Sequence, residues 1–461
     1  MLFVCILLVP GAPVLAQVPE VLGHVLGYQK VSQTEGGFDG LLPDGSGLGS
    51  STAALGDLDG NGTTDLAVGV ALDDDGGMAR GAVWILFLEP DGTVRAQQKI
   101  SDTEGGFTGV LDDFDRFGLD VGPLGDLDGD GLPDLAVGAP GDDDGGMNRG
   151  AVWVLFLHPN GTVRAHQKIS ATAGGFGGAL ADGNELGSGV TAIGDLGGDG
   201  TREVAVGAWR DGDGGFNRGA VWILSLSSAG VVEGQQKISA TAGGFTGLLH
   251  DGDSFGGAVA ALGDLDRDGV PDLAVGSPGD SDGGALAGAL WVLFLEADGT
   301  VAGQQKIGPF DGGFTGTIGT GDELATSLAP LGDLDCDGNV ELAAGAFGDS
   351  DGGPHRGASW TLFLSRQGTV RFHTKISDTS GSFAGILHDD DSFGTAVAPL
   401  GDLDGDGHPD LAVGAPGDDD GGPERGAVWI LFLDSAVCPP PLIFADGFES
   451  GDASAWSAAV P

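Results

Sequence analysis

The segment Asp126-Leu-Asp128-Gly-Asp130-Gly-Leu-Pro-Asp134 places carboxylates at loop positions 1, 3, 5 and 9 and a glycine at position 6. Calcium takes six to eight oxygen ligands in loose geometry, and alternate side chains plus one backbone carbonyl, here that of Leu132, supply them within a tight loop. The glycine permits the sharp turn. The pattern recurs as Asp57, Asp59, Asn61 and Asp65; as Asp264, Asp266, Asp268 and Asp272; as Asp333, Asp335, Asp337 and Glu341; and as Asp402, Asp404, Asp406 and Asp410. A further loop departs from it, with Asp195, Asp199 and Glu203 but Gly197 at position 3, and is expected to bind most weakly. The expected cofactor is therefore structural Ca2+, five or six ions. The competing reading is a set of solvated turns rich in Asp and Gly, but turn chemistry requires no carboxylate at position 9 and no crowding of three or four anions. An EF-hand would need a Glu at position 12 between two helices. Strands flank these loops instead, which points to staples of about 10⁻⁴–10⁻³ M affinity, as in extracellular modules, rather than to sensors.

The elements that carry these loops follow from their spacing. Gly-Asp-Leu-Asp begins at Gly56, Gly125, Gly263, Gly332 and Gly401, with Gly194-Asp195-Leu196-Gly197 in the remaining slot, so every interval is 69 residues. A fixed period without insertions marks a repeat architecture of equivalent units. In the second unit, strands are expected over 119–127, 135–139, 150–157 and 162–169, with the acidic loop between the first two. Four short strands with hairpin-sized loops make an antiparallel propeller blade. The third strand, Ala-Val-Trp-Ile-Leu-Phe-Leu or a near variant, is apolar on both faces and must be covered on both. Trp84, Trp153, Trp222, Trp291, Trp360 and Trp429 are accordingly assigned to packing between blades. The sixth unit stops after its third strand at Leu433, while residues 28–32 match a fourth strand with no blade of its own. The expected fold is an all-β, six-bladed propeller whose last blade is closed by the N-terminal strand, which leaves no free sheet edge.

Composition limits the partners. The formal net charge is −49, from 68 acidic and 19 basic residues, which would repel phosphates and disfavours nucleic acid and anionic lipid. Gly at 91 of 461 residues fits short strands and tight turns. Residues 1–16 read as a signal peptide, apolar and too short to span a bilayer, with a small-residue site before Gln17; a basic n-region is absent, so a buried N-terminal strand stays open as the alternative. No other stretch suggests a membrane span. Once the leader is removed, Cys336 and Cys438 remain, and one bridge between them suits an oxidising compartment. Residues 434–461 form a Pro-rich linker and short tail.

Phe117-Gly118, then Gly125-Asp-Leu-Asp-Gly-Asp-Gly, then Gly138-Ala139-Pro140 resemble the FG-GAP repeat of integrin α-subunit propellers and their bacterial relatives. The resemblance covers about residues 28–433. It implies a calcium-stabilised propeller with metal loops on a lower face and ligand-binding loops on an upper one. Integrin members have seven blades, so a seven-bladed ring is the alternative. Phe-Gly also becomes Leu48-Gly49, Leu186-Gly187 and Leu324-Ala325 in alternate units.

On the expected upper face, Asp-x-Asp-Gly-Gly occurs in every unit, from Asp73/Asp75 to Asp418/Asp420, and Arg80, Arg149, Arg218, Arg356 and Arg425 follow in five. A turn held by an Asp–Arg pair and a second cation site both fit. Trp209 and Phe347 replace the proline of Gly-Ala-Pro, break the sixfold pattern, and are the candidate ligand-binding residues. No nucleophile elbow, His-Glu-x-x-His or Gly-Lys-Ser/Thr loop is present. The expected protein is thus a secreted or cell-surface, monomeric, non-catalytic adhesion or recognition module for an extracellular protein or glycan. The alternatives are the propeller domain of an extracellular enzyme, such as a polysaccharide lyase or phospholipase, and a structural envelope protein.

Overall fold

Six heptapeptides from Ala82–Leu88 to Ala427–Leu433 are apolar at nearly every position and have no face to offer to water, and they are buried along almost their whole length. They form the third strands of six four-stranded antiparallel sheets in a computed structural model that describes residues 22–436. The expected leader at 1–16, nearly all of the expected tail at 434–461, and Cys438 lie outside the described residues. Cys336 is disulfide-bonded.

Blade 1 comprises Ser51–Gly56, Asp65–Val70, Ala82–Leu88 and Val94–Ile100; blade 2 comprises Val121–Gly125, Asp134–Ala139, Ala151–Leu157 and Val163–Ser170. Blades 3, 4 and 5 span 186–239, 259–307 and 328–377 in the same order. The sixth takes Ala396–Gly401, Asp410–Ala415 and Ala427–Leu433, and Val25–Val31 completes it, with Val31 opposite Val428 and Val25 opposite Leu433. The ring is therefore six-bladed and closed by the N-terminal strand, not seven-bladed. The first strand of blade 2 is shorter than expected. Leu119 still belongs to a turn, its N–H donating to the Arg116 carbonyl at 3.0 Å, and the strand ends where Gly125 turns to φ +63°.

Each hydrophobic cluster lies between two neighbouring blades rather than inside one. Leu55, Ile85 and Phe87 of blade 1 pack with Leu135, Trp153 and Leu155 of blade 2, and Leu66, Val68 and Leu86 of blade 1 pack with Leu400, Val428 and Ile430 of blade 6. Every fully buried leucine contributes about 2 kcal/mol, so the interfaces, not the isolated sheets, hold the ring. The six indoles lie in these interfaces as expected. Each meets a phenylalanine edge-on at 5.0–5.1 Å, from Phe38–Trp84 to Phe383–Trp429.

A close backbone approach explains the glycine of Gly-Ala-Pro. A Cβ on Gly138 would stand 2.0 Å from the Gly187 carbonyl oxygen of blade 3, and one on Gly414 would stand 2.1 Å from that of Gly49, across the closure. The seam between first and last blades thus has the same contact as the internal seams.

The closing strand is also held by charge. Lys30 reaches Asp418 at 2.6 Å and Asp420 at 2.8 Å, with both Lys30 and Asp418 buried. Lys30→Ala leaves that buried carboxylate without its ammonium. Urea unfolding is expected to show a loss of about 3 kcal/mol; a loss below about 0.5 kcal/mol would mean the strand closes the ring without this pair.

Candidate metal centres and the opposite face

Antiparallel sheets sort their loops by end. The acidic loops join strands one and two, so they share one face of the ring; the Asp-x-Asp-Gly-Gly loops join strands two and three, so they share the other.

Each acidic loop is folded by its own carboxylates. The position-1 side chain accepts from the N–H of the position-6 glycine, as in Gly131 to Asp126 and Gly62 to Asp57, both at 2.9 Å. The position-9 carboxylate, buried at the start of the second strand, accepts from the position-2 N–H, as in Leu127 to Asp134 at 2.9 Å and Leu403 to Asp410 at 2.8 Å. Five loops thereby gather carboxylate oxygens within 4.8 Å of one another: Asp57, Asp59 and Asp65; Asp126, Asp128 and Asp134; Asp264, Asp266 and Asp272; Asp333, Asp335 and Glu341; and Asp402, Asp404 and Asp410.

Position 5 stands outside these clusters. Asn61, Asp130, Asp268, Asp337 and Asp406 each turn a side-chain oxygen onto the position-7 N–H, at 2.6–2.9 Å. Asp195, Asp199 and Glu203 are likewise not gathered into a cluster among the described residues. With glycine at position 3, the Thr201 hydroxyl lies between two carboxylates, 2.6 Å from Asp199 and 2.9 Å from Glu203, with one proton to share between them.

Burial dominates the electrostatics of the position-9 carboxylates. Burial pushes Asp65 and Asp134 up to about 6, Asp272 and Asp410 up to about 7, and Glu341 up to about 9, against the opposing pull of backbone N–H donors. Asp134 Oδ1, Glu341 Oε1 and Asp410 Oδ1 are buried with no hydrogen-bond partner. A buried carboxylate oxygen left unpaired is costly. A divalent cation among the three carboxylates would satisfy it, so the donor set fits calcium by chemistry and by placement.

The opposite face resolves the Asp-x-Asp-Gly-Gly loops in a way the spacing did not indicate. The carboxylate pair is bridged by a lysine of the fourth strand rather than by the following arginine. Lys30, Lys99, Lys168, Lys237, Lys306 and Lys375 each contact both aspartates of one loop at 2.5–3.3 Å. Each ammonium also lies 5.2–5.9 Å from the centroid of its blade's indole. These six are all the lysines in the chain. The place of a second cation is therefore taken by a resident ammonium. The arginines reach into the next blade's entry loop instead, Arg149 to Asp182 at 2.9 Å and Arg218 to Asp251 at 2.9 Å. The signal for the lysines was the repeat itself, since each recurs at the 69-residue period, but only strand pairing, Trp153 opposite Lys168, shows where it points.

Two places on this side break the sixfold pattern. Trp209 is half-buried; its indole N–H donates to Glu185 at 2.8 Å, and the Arg210 guanidinium lies 5.0 Å from its ring. Glu185 is buried and also contacts Arg116 at 3.3 Å and Arg210 at 3.1 Å. Phe347, the other ring expected at a binding position, is half-buried in blade 5. Between the blades, the innermost strands line a largely apolar central cavity of about 380 Å³, into which blade 2 contributes Asp120 where the corresponding residues are Ser51, Gly189, Ala258, Ser327 and Ala396. Asp120 accepts from the Val190 N–H at 2.5 Å, and burial pushes it up to about 7.

Comparison with known proteins places this geometry. The FG-GAP repeat model matches residues 117–155, 255–293 and 393–431, each match opening on the phenylalanine of Phe-Gly. Integrin alpha-3 of Cricetulus griseus is 31% identical over 201 residues, covering 43% of this chain and 17% of that protein. Integrin alpha-7 of Homo sapiens is 32% identical over 204 residues, covering 44% and 15%, and integrin alpha-5 of Xenopus laevis is 43% identical over 104 residues, covering 22% and 9%. The chain thus spans less than a fifth of the length of these relatives. Among the described residues no helix is long and apolar enough to cross a membrane.

Two measurements check the charge assignments. Amine acylation mapped by mass spectrometry is expected to leave the six lysines nearly unlabelled in the native protein and to label them together on unfolding; rapid native labelling would contradict the Lys–Asp pairing. Because Asp120 holds its proton more tightly folded than unfolded, stability falls as pH rises from about 4 through about 7. Asp120→Asn is expected to flatten that fall in melting temperature, and an unchanged slope would refute the buried charge.

Proposed function

Because the chain carries FG-GAP repeats on a six-bladed propeller resembling that of integrin α-subunits, we propose that it is a secreted or cell-surface, calcium-binding module for adhesion or recognition, monomeric and without catalysis. The observation that carries the calcium reading is the set of five carboxylate clusters, three of which hold a buried oxygen with no partner. Calcium would be held by the residues at positions 1, 3 and 9, and its role would be to tie the first hairpin of each blade to the rest of the sheet. The position-5 side chains would complete the shell by turning from their N–H donors or through water.

The ligand would be an extracellular protein or glycan on the face opposite the metal loops, with Trp209 and Phe347 as candidate contacts. The net charge of −49 supports a partner other than nucleic acid. The non-catalytic reading is supported by the saturation of the asymmetric polar cluster. Both oxygens of Glu185 are engaged, by Arg116, Arg210 and the Trp209 indole, which leaves no free base there. An enzyme would need a titratable group open to substrate, and a purely structural envelope protein would need no selective ligand.

Replacing Asp126 and Asp128 by Ala is expected to lower bound calcium by one ion per chain, measured by mass spectrometry of metal content, and to lower stability by about 2–3 kcal/mol at calcium near a hundred times Kd. Unchanged stoichiometry would overturn the site assignment. A glycan and matrix-protein array, run with calcium and with chelator, is expected to give a selective, calcium-dependent ligand; no ligand in either condition would favour the structural alternative.

A further inference from the structure

Three arginines enter the acidic clusters from the fourth strand of the same blade. Arg95 contacts Asp59, Arg164 contacts Asp128 and, at 2.9 Å, Asp130, and Arg371 contacts Asp335 and, at 2.7 Å, Asp337. The sequence offset from the position-3 aspartate to the arginine is 36 residues in each case. Each arginine follows the valine at a shifted point in the ladder, Val94, Val163 and Val370, which pair with Leu88, Leu157 and Leu364. The irregularity at that point sets the side chain over the loop.

The equivalent position in blade 4 is Ala302, after Val301 opposite Leu295, and in blade 6 it is Leu26, after Val25 opposite Leu433. Leu26 is exposed. Neither side chain carries charge. Among the described residues, the clusters Asp264/Asp266/Asp272 and Asp402/Asp404/Asp410 have no lysine or arginine ion pair, and Arg267, within the blade-4 loop, turns away to the Gly338 carbonyl at 2.8 Å. Unpartnered buried oxygens occur in both kinds of cluster, at Asp410 in blade 6 and at Asp134 and Glu341 in blades 2 and 5.

We infer that the five calcium loops form two affinity classes, sorted by a resident guanidinium: blades 4 and 6 bind tightly, and blades 1, 2 and 5 bind weakly because the cation must displace or share the position-3 carboxylate with Arg95, Arg164 or Arg371. This rests on the calcium reading above and extends it. The guanidinium lowers the net negative charge of its cluster by one and occupies an oxygen that calcium needs, and calcium affinity follows ligand charge count. These arginines are partly exposed, which limits the pair to the strength of a surface network. The separation between classes is therefore about fivefold in Kd at most. The function would be graded: tight loops keep part of the ring stapled at low calcium, and the arginine-covered loops fill only as calcium rises.

The test is calorimetric titration of calcium into the full, chelator-stripped chain, with Arg164→Gln, Arg95→Gln and Ala302→Arg as variants. The unaltered chain is expected to show two tight sites and three weak ones. Each Arg→Gln change moves one site from the weak class to the tight class, and Ala302→Arg moves one the other way. Far-UV circular dichroism of each variant establishes that it is folded, and because the substitutions act in opposite directions, a general loss of structure cannot mimic both. A single class of five equal sites, or a distribution that neither type of substitution shifts, overturns the sorting while leaving calcium binding intact. Absence of any calcium uptake overturns the calcium reading itself and the sorting with it.

Discussion

Carboxylates buried at both ends of every blade need a positive partner, and the architecture depends on how each end obtains one. Burial of an unpaired carboxylate costs several kcal/mol, whereas a paired and hydrogen-bonded one is tolerated. At one end the chain supplies the partner itself: a lysine from the outer strand bridges two aspartates and rests on the indole, in all six blades. At the other end no lysine reaches the clusters, and Asp410 and Glu341, with titration pushed up to about 7 and about 9 by burial, show what those oxygens lack. One end is complete as a polypeptide; at the other, three of the five clusters meet an arginine and two meet no cationic side chain among the described residues. The excess of acidic over basic residues is the compositional trace of that division.

Much of this was legible in the residues because the repeat enforces it. Six copies at one interval placed the loops, the apolar third strands and the unpaired N-terminal strand, and together these required a closed ring. What the sequence did not reveal depends on direction rather than on spacing. The arginines after Asp-x-Asp-Gly-Gly are the nearest cations along the chain, yet the turn carries Arg149 away to Asp182 of the next blade. Five of the lysines that take their place are 24–26 residues downstream of the two aspartates, the sixth, Lys30, comes from the N-terminal strand, and all look like ordinary polar residues of an edge strand until Lys168 is set opposite Trp153. The local bond made by position 5 of the acidic loop is likewise invisible in the spacing. A short Asp or Asn side chain competes for the backbone N–H two residues on, and in the folded loop that local bond holds it outside the cluster.

The alternation of Phe-Gly with Leu-Gly has a packing explanation. Phe117, Phe255 and Phe393 each pack on a second phenylalanine, at 5.2, 5.1 and 5.4 Å, while Leu48, Leu186 and Leu324 are fully buried in the intervening blades. The residue type changes and the burial does not. Departures that do alter the surface gather at blades 2 and 3, where Arg116, Glu185, Trp209 and Arg210 form a closed ionic and aromatic group and Asp120 faces the central cavity. These departures lie on the face opposite the acidic loops, whereas Gly197, Ala302 and Leu26 break the pattern on the acidic face itself.

The most direct measurement is a crystal structure of the protein grown in millimolar calcium, with anomalous data collected at long wavelength to identify the ion. The account predicts an anomalous peak among the carboxylates of positions 1, 3 and 9 in each of the five clusters. The same carboxylates filled only by water, in an intact six-bladed ring, would contradict it.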